Sequence, residues 1–151
     1  YKLLEHDDKI DELFNKFEPN KIEKQKIFFN GEIYDAYSLI IDLIKEATNR
    51  IIIIDNYIDK SILDMLVYKK DKVSVELVTS SHYLTKLDIE KFNMQYNLKI
   101  KYTNIFHDRF IIIDDNLYHV GASLKDLGKK CFGINKIEDK DYFKKIMEKI
   151  N

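Results

Sequence analysis

This chain of 151 residues has little of what several common protein classes require. Its single cysteine excludes an intramolecular disulfide. It contains neither a CxxC pair nor an HExxH sequence, so the common zinc signatures are absent. No apolar run approaches the ~20 residues that a membrane-spanning helix needs, and no signal peptide is visible. These absences favour a cytoplasmic protein without a membrane span, and we expect no metal site and no cofactor.

Charge is nearly balanced, and arginine is scarce. The chain has 25 Lys+Arg against 26 Asp+Glu, a formal net charge of −1. No global attraction to nucleic acid is therefore expected, and any such binding depends on a local basic patch. Arg50 and Arg109 are the only arginines in the sequence. In a chain so rich in lysine, an arginine indicates a use of its planar, two-pronged geometry, such as phosphate binding.

Short apolar runs alternate with amphipathic segments, which predicts an α/β domain with a mixed sheet flanked by helices. The predicted strands lie at 26–29, 50–55, 73–78, 98–103, 107–114 and 117–120. The predicted helices lie at 3–18, 34–48, 59–70, 85–96 and from 139 onward. Residues 51–54 are all isoleucine, which predicts a strand buried on both faces. A tight turn at Asp115-Asn116 is expected to join the last two strands as a hairpin.

Residues 107–123 carry the strongest sign of chemistry. His107 opens an apolar strand, Arg109 follows two residues later, Asp114 closes the strand, and Gly121 and Ser123 follow the next strand. Side chains on a strand repeat every second residue, so His107 and Arg109 are predicted to face the same way, toward one phosphate. Histidine exchanges protons near neutral pH, and arginine supplies a permanent positive charge. Asp114 has the opposite parity and is predicted to brace the hairpin turn.

The same residues resemble the HKD motif of the phospholipase D superfamily, which reads His-x-Lys-x4-Asp-x6-Gly-Ser/Gly-x-Asn. His107, Asp114 and Gly121 stand at the matching spacings. The segment 55–58 (Asp-Asn-Tyr-Ile) resembles the loop after the first strand of that fold, which borders the active site. The order of helices and strands across residues 26–151 is similar as well. The resemblance implies a phospholipase D-like layered α/β domain over those residues.

A narrower resemblance covers the run from Phe28 to Lys130 and is carried by residues 118–130. This run is similar to the phospholipase D-like carboxy-terminal domain of bacterial and phage-derived proteins that carry an antirepressor-type DNA-binding domain upstream. The sequence begins at Tyr1 rather than at methionine, and we expect it to be a fragment of a longer chain. Residues 1–25 are accordingly predicted to form a helix and a linker to an upstream domain.

The superfamily resemblance implies a metal-independent phosphodiesterase, most plausibly a nuclease. One motif histidine attacks phosphorus to form a phosphohistidine, and a second protonates the leaving oxygen and then activates water. This chain has one motif, and single-motif members homodimerise with the site on the two-fold axis. His107 of each copy would then act as nucleophile and as acid/base in turn. The candidate catalytic residues are His107, Arg109, Asp114 and Ser123, and the candidate substrate-binding residues are Asn56, Tyr57, Gly121 and Lys125.

Three positions depart from the motif and support an alternative. Arg109 replaces the lysine, Ala122 stands at the serine position with Ser123 one residue later, and Leu124 stands at the asparagine position. The alternative is a non-catalytic module that dimerises and binds phosphate within a DNA-binding protein. In either case the lysines at 125, 129 and 130 offer a local patch for a phosphate backbone, or else an ordinary solvated face.

Overall fold

The structure is a computed structural model that describes residues 25–151. The predicted helix at 3–18 and most of the predicted linker lie outside the described residues. The strands are β1 (Gln25–Phe28), β2 (Arg50–Ile54), β3 (Ser74–Thr79), β4 (Lys99–Tyr102), β5 (Arg109–Ile113), β6 (Asn116–Val120) and β7 (Phe132–Ile137). The helices are α1 (Ile33–Glu46), α2 (Lys60–Leu66), α3 (Lys86–Tyr96) and α4 (Lys140–Ile150), with a 3₁₀ turn at Leu124–Asp126.

The described strands form one mixed sheet, which confirms the predicted fold class. Their order is β1-β7-β6-β5-β2-β3-β4. Strands β2, β3 and β4 are parallel, β5 runs antiparallel to β2, and β5, β6, β7 and β1 pair antiparallel in succession. The carboxyl ends of β2, β3, β4 and β6 therefore lie at the same edge as the amino end of β5. We call this edge the upper edge and the opposite one the lower edge.

The sheet is covered on both faces by apolar contacts. Helices α1, α2 and α3 pack on one face, where Ile51 and Ile53 of β2 lie in the core. Helix α4 packs on the other face, against Ile52 and Ile54. Burial on both faces explains why β2 is apolar without alternation. A rigid sheet of this kind holds the loops of the upper edge in fixed positions.

The start of β5 corrects the sequence prediction. The strand begins at Arg109 and not at His107, because its ladder starts with Arg109 opposite Val120. The preceding backbone is held by side chains. Asn56 Nδ2 donates to the Phe106 carbonyl at 2.8 Å, and the Arg109 amide donates to the Asp108 carboxylate at 2.9 Å. The expectation that His107 and Arg109 share one face of a regular strand therefore has no basis in the structure.

Three further boundaries differ from the sequence predictions. The β5–β6 turn is Asp114-Asp115, one residue earlier than expected, with Asp114 at φ 56° and Ile113 paired to Asn116. Strand β7 was not predicted, because Gly133 and the polar residues that follow break its apolar run. It is stabilised by ladders to β1 and β6 on either side. Helix α2 ends at Leu66 rather than near residue 70. The amides of Tyr68 and Lys69 donate to the carbonyl three residues earlier, instead of four as in an α-helix.

Candidate functional site

Asp55, the residue after β2, is the buried anchor of the upper edge. Its carboxylate is 1% exposed. Ser123 Oγ donates to it at 2.9 Å, the Leu124 amide at 2.8 Å and the Tyr57 amide at 2.9 Å. One carboxylate thus ties the loop after β2 to the segment after β6, 68 residues away in the chain. The sequence marked this loop but not the pairing, which no local pattern encodes.

Two of the predicted site residues depend on close packing at this edge. Ser123 is 5% exposed, and its hydroxyl proton is directed at Asp55, so it fixes the loop. Gly121 has no room for a side chain, since an added Cβ would lie 3.1 Å from the Gly133 carbonyl oxygen and 3.3 Å from its nitrogen. The Gly121 amide donates to that carbonyl at 2.8 Å. Both residues shape the loop between β6 and the 3₁₀ turn.

A cationic cavity of about 480 Å³ opens beside this loop. Residues 121–123 and Tyr57 line it together with four basic residues: Arg109, Lys125, Lys129 and Lys130. Asp126 is the one carboxylate in this lining, and it pairs with Lys125 at 3.4 Å and with Lys129 at 3.2 Å. The positive charges exceed the negative ones, so the cavity favours an anion.

The cavity cations are only partly neutralised by the protein. Burial opposes ionisation of Asp126, but the hydrogen bond from Lys129 and the charge of Lys125 prevail and hold the pKa of Asp126 below its usual value. The nearest carboxylate to Arg109 is Asp108, at 3.9 Å between Nη1 and Oδ1. That distance is too long for a hydrogen bond. The Arg109 guanidinium therefore retains donors for a ligand.

His107 lies outside this cavity. Its side chain is exposed, and it forms no hydrogen bond or ion pair with any residue in 25–151. It is absent from the cavity lining, whereas Arg109, two residues later, is part of it. The structure thus brings Arg109, Gly121, Ser123, Tyr57 and Lys125 together within one chain, but not the histidine.

Asp108 and His119 form a pair that sequence reasoning missed. His119, in β6 opposite Phe110, places Nε2 2.5 Å from the Asp108 carboxylate and Nδ1 3.3 Å from the Asn135 side-chain oxygen. Burial raises the pKa of Asp108, but the Arg109 amide and His119 outweigh it, so the pKa of Asp108 falls below its usual value. Because Asp108 lies between His107 and Arg109, this pair fixes the backbone between the two candidate residues.

Asp114 occupies the lower edge, at the far end of β5 from His107. Its carboxylate accepts hydrogen bonds from the amides of Thr48, Asn49 and Arg50, at 2.7 to 3.2 Å, and from the Thr48 hydroxyl at 3.2 Å. Burial opposes ionisation slightly, and these donors lower the pKa of Asp114. The structure therefore places Asp114 outside the cationic cavity. Its contacts at the lower edge support a bracing role.

Asn56 is the remaining candidate residue, and Leu124 stands at the asparagine position of the motif. Asn56 holds the backbone before His107 through its bond to the Phe106 carbonyl, at 2.8 Å. Leu124, at the motif's asparagine position, is 2% exposed and packs in the apolar core. Only its amide takes part in the site, through Asp55. The side chain at this position therefore offers nothing polar to a ligand.

Metal-ion clusters and membrane-spanning helices are both absent from the described residues. Between residues 25 and 151, no three His, Cys, Asp or Glu side chains converge in an arrangement that would hold a metal ion. In the same part of the chain, no helix combines the length and apolarity needed to cross a membrane.

Solved structures of similar fold come from distant sequences. TrmBL2, an archaeal chromatin protein whose structure shows a novel mode of DNA binding, aligns at TM-score 0.58 and 19% identity over 97% of this chain and 59% of its own. NucT from Helicobacter pylori aligns at TM-score 0.57 and 17% identity over 83% of this chain and 91% of its own. The phosphatidylserine synthase of Haemophilus influenzae Rd KW20 aligns at 0.61 and 14% over 90% and 39%.

These alignments confirm the predicted phospholipase D-like fold. The chain spans 59% of TrmBL2 and 39% of the synthase, but 91% of NucT. The sequence matches no protein-family model and no curated protein. The likeness thus concerns the fold, whereas the chemistry depends on the residues of the site itself.

Proposed function

We propose that this domain binds the phosphate groups of nucleic acid in the cationic cavity of the upper edge. One observation carries the proposal: Arg109 and three lysines line a single cavity in which Asp126 is the one carboxylate. Arginine grips a phosphate with two parallel hydrogen bonds, and lysines add point charges. Because the net charge of the chain is −1, anion binding has to depend on a local cluster of cations such as this one.

Nucleic acid is the anion that suits this arrangement. Its phosphates recur along a backbone, so several can contact the spread of cations at positions 109 to 130. One protein of similar fold supports this choice, since TrmBL2 is described with a novel mode of DNA binding. Phosphate contacts give affinity without sequence preference.

The test is the salt dependence of DNA binding, measured by fluorescence anisotropy. In Arg109→Ala and Lys130→Ala we expect weaker binding and a salt slope shallower by about 1 for each lost phosphate contact. Lys144→Ala is the matched control, because this exposed lysine belongs to α4 on the other face of the sheet. Arg109→Lys retains charge and separates charge from two-pronged geometry. Equal slopes in wild type, cavity variants and control would refute the cavity as the binding site.

A second candidate function is metal-independent hydrolysis of the bound phosphodiester by a homodimer. The exposed imidazole of His107, which has no partner among residues 25–151, favours it, because a nucleophile must be free to reach phosphorus. The imidazole nitrogen of one copy bonds to phosphorus as the bond to the leaving oxygen breaks, and the other copy's imidazolium protonates that oxygen. Water then attacks the phosphohistidine, gives its proton to the second imidazole and frees the first.

Hydrolysis and binding separate in one experiment. Cleavage of DNA and of a chromogenic diester is measured in EDTA for wild type and His107→Gln, with sedimentation to determine the oligomeric state. Activity lost in the variant, with DNA affinity and dimer retained, supports catalysis. Undiminished affinity without cleavage in either protein leaves the binding module, and the buried Leu124 then accounts for the silent site. Cleavage that survives in His107→Gln refutes the histidine mechanism.

A further inference from the structure

Four exposed aromatic rings lie together at the upper edge, and we call them the aromatic ledge: Tyr57, His82, Tyr83 and Tyr102. Tyr57 and Tyr83 are nearly parallel, with ring centroids 6.5 Å apart and planes 22° apart. His82 stacks on Tyr102 at 4.2 Å and 16°. His82 and Tyr83 are consecutive, so the two pairs are linked through the backbone of the loop after β3. The three tyrosines remain 46%, 59% and 42% exposed.

The sheet and its anchors hold this ledge in place. Tyr57, His82 and Tyr83 lie in the loops that follow β2 and β3, and Tyr102 ends β4. The Tyr57 amide is bonded to the buried Asp55. These rings are presented from the ends of three neighbouring parallel strands, which reduces the entropy cost of ordering them around a flat ligand. Tyr142 is also exposed but belongs to α4, which packs on the opposite face of the sheet from α1, α2 and α3.

The ledge is continuous with the cationic cavity. Tyr57 lines the cavity and also belongs to the ledge. Lys125, another lining residue, places Nζ 5.9 Å from the centre of the Tyr57 ring. A site for phosphate and a surface for flat rings are thus joined at one residue. In a nucleotide, phosphate and base are joined in the same way.

We infer that the aromatic ledge stacks the bases of single-stranded nucleic acid whose phosphates lie in the cavity, an inference that rests on the proposed function. Bases of a single strand have open faces, and aromatic side chains bind them without sequence preference. In a duplex those faces are covered by neighbouring base pairs. The domain therefore prefers single strands, with Tyr57 as the residue at which phosphate binding and base stacking meet.

The experiment compares three labelled probes: oligothymidylate, an abasic oligodeoxynucleotide of equal length and a duplex. Wild type is expected to bind oligothymidylate about tenfold more tightly than the abasic strand, the scale of one stacked base. The double variant Tyr83→Ala/Tyr102→Ala, at two ledge residues that do not line the cavity, is expected to lose most of that difference and to keep the abasic affinity. Tyr83→Phe/Tyr102→Phe retains it, because the rings remain. Tyr142→Ala, an exposed tyrosine outside the ledge, is the control.

The outcomes separate this inference from the proposed function. Equal, measurable affinity of wild type for the abasic strand and oligothymidylate overturns the ledge and leaves phosphate binding standing. Binding to none of the three probes overturns the proposed function itself. Duplex bound as tightly as single strand overturns the single-strand preference. A wild-type dimer that dissociates in Tyr83→Ala/Tyr102→Ala, while Tyr142→Ala stays dimeric, assigns the ledge to a second copy of the chain and overturns the inference.

Discussion

The two ends of strand β5 use their polar residues in opposite ways. At the lower edge, the Asp114 carboxylate accepts from three amides and a hydroxyl, and Arg50 donates to the carbonyl of Asp114 at 2.9 Å and to the carboxylate of Asp115 at 2.8 Å. At the upper edge, His107 has no partner within residues 25–151, and Arg109 lies 3.9 Å from its nearest carboxylate. Saturated groups hold a fold together, whereas groups with unused donors are free to bind a ligand.

The contrast with the lower edge holds for His107 and Arg109, which have unused donors, and not for every polar group of the upper edge. Beneath the cavity, Asp55 is as saturated as Asp114 and far more buried, at 1% exposed. The site therefore has a buried, saturated base under cations that Asp126 neutralises only in part, the arrangement that precise binding requires. Substitutions at the saturated carboxylates and at His107 therefore test this difference between the two ends of β5.

The largest expected effect comes from Asp55→Ala. It leaves the Ser123 hydroxyl and the Leu124 amide buried without an acceptor, each at roughly 1–3 kcal/mol, so we expect a loss of about 3 kcal/mol in the free energy of unfolding. Urea unfolding measures it. Asp64→Ala is the control, because its ion pair with Lys60 is exposed and worth about 0.5 kcal/mol or less. A loss below ~1 kcal/mol for Asp55→Ala would show that the anchor is dispensable.

Asp114→Ala is expected to be next, with a loss of about 2 kcal/mol. Charged hydrogen bonds contribute roughly 1.5–3 kcal/mol each when buried, but this carboxylate is partly solvated and its contribution is correspondingly smaller. Asp114 also has φ 56°, a conformation that asparagine tolerates better than alanine, so Asp114→Asn is expected to lose less. Asp115→Ala removes the exposed neighbour as control. Equal losses for residues 114 and 115 would contradict the bracing role.

Acid sensitivity follows from the same carboxylates and is a smaller effect. The pKa values of Asp108, Asp114 and Asp126 are lowered in the folded state. Their stabilisation is therefore present above the unfolded value near ~4 and is lost as pH falls through the lower folded values. Urea midpoints from neutral pH downward should fall in that acid range. The fall should be shallower in Asp114→Asn, and identical pH profiles would exclude Asp114 as a source.

His119→Ala is expected to cost about 1 kcal/mol, because it removes one hydrogen bond to the charged Asp108 carboxylate at a half-buried position. His82→Ala is the comparison, since this exposed histidine stacks on Tyr102 but makes no hydrogen bond within the described chain. Urea unfolding again provides the measurement. If the two variants lose equal stability, the Asp108–His119 bond contributes nothing to the upper edge.

Local patterns in the sequence were enough to predict most strands and helices, but not the pairings of the site. The isoleucine run of β2 and the apolar face of α1 are buried as expected, because each pattern lies within a single element. The Asp108–His119 pair depends on hairpin register, and a turn at Asp115-Asn116 would place His119 opposite Ile112 instead of Phe110. The bond between Asp55 and Ser123 spans 68 residues, so only the assembled sheet reveals it.

The smallest expected effect on stability is that of His107→Ala. The side chain is exposed and unpartnered within residues 25–151, and such substitutions usually change the free energy of unfolding by less than about 0.5 kcal/mol. The urea midpoint should therefore match that of wild type. A loss above ~1 kcal/mol would mean that the upper end of β5 is structural like the lower end. Near-neutral stability makes any change in DNA binding or cleavage in this variant attributable to the imidazole itself, which a destabilised Asp55 or Asp114 variant does not allow.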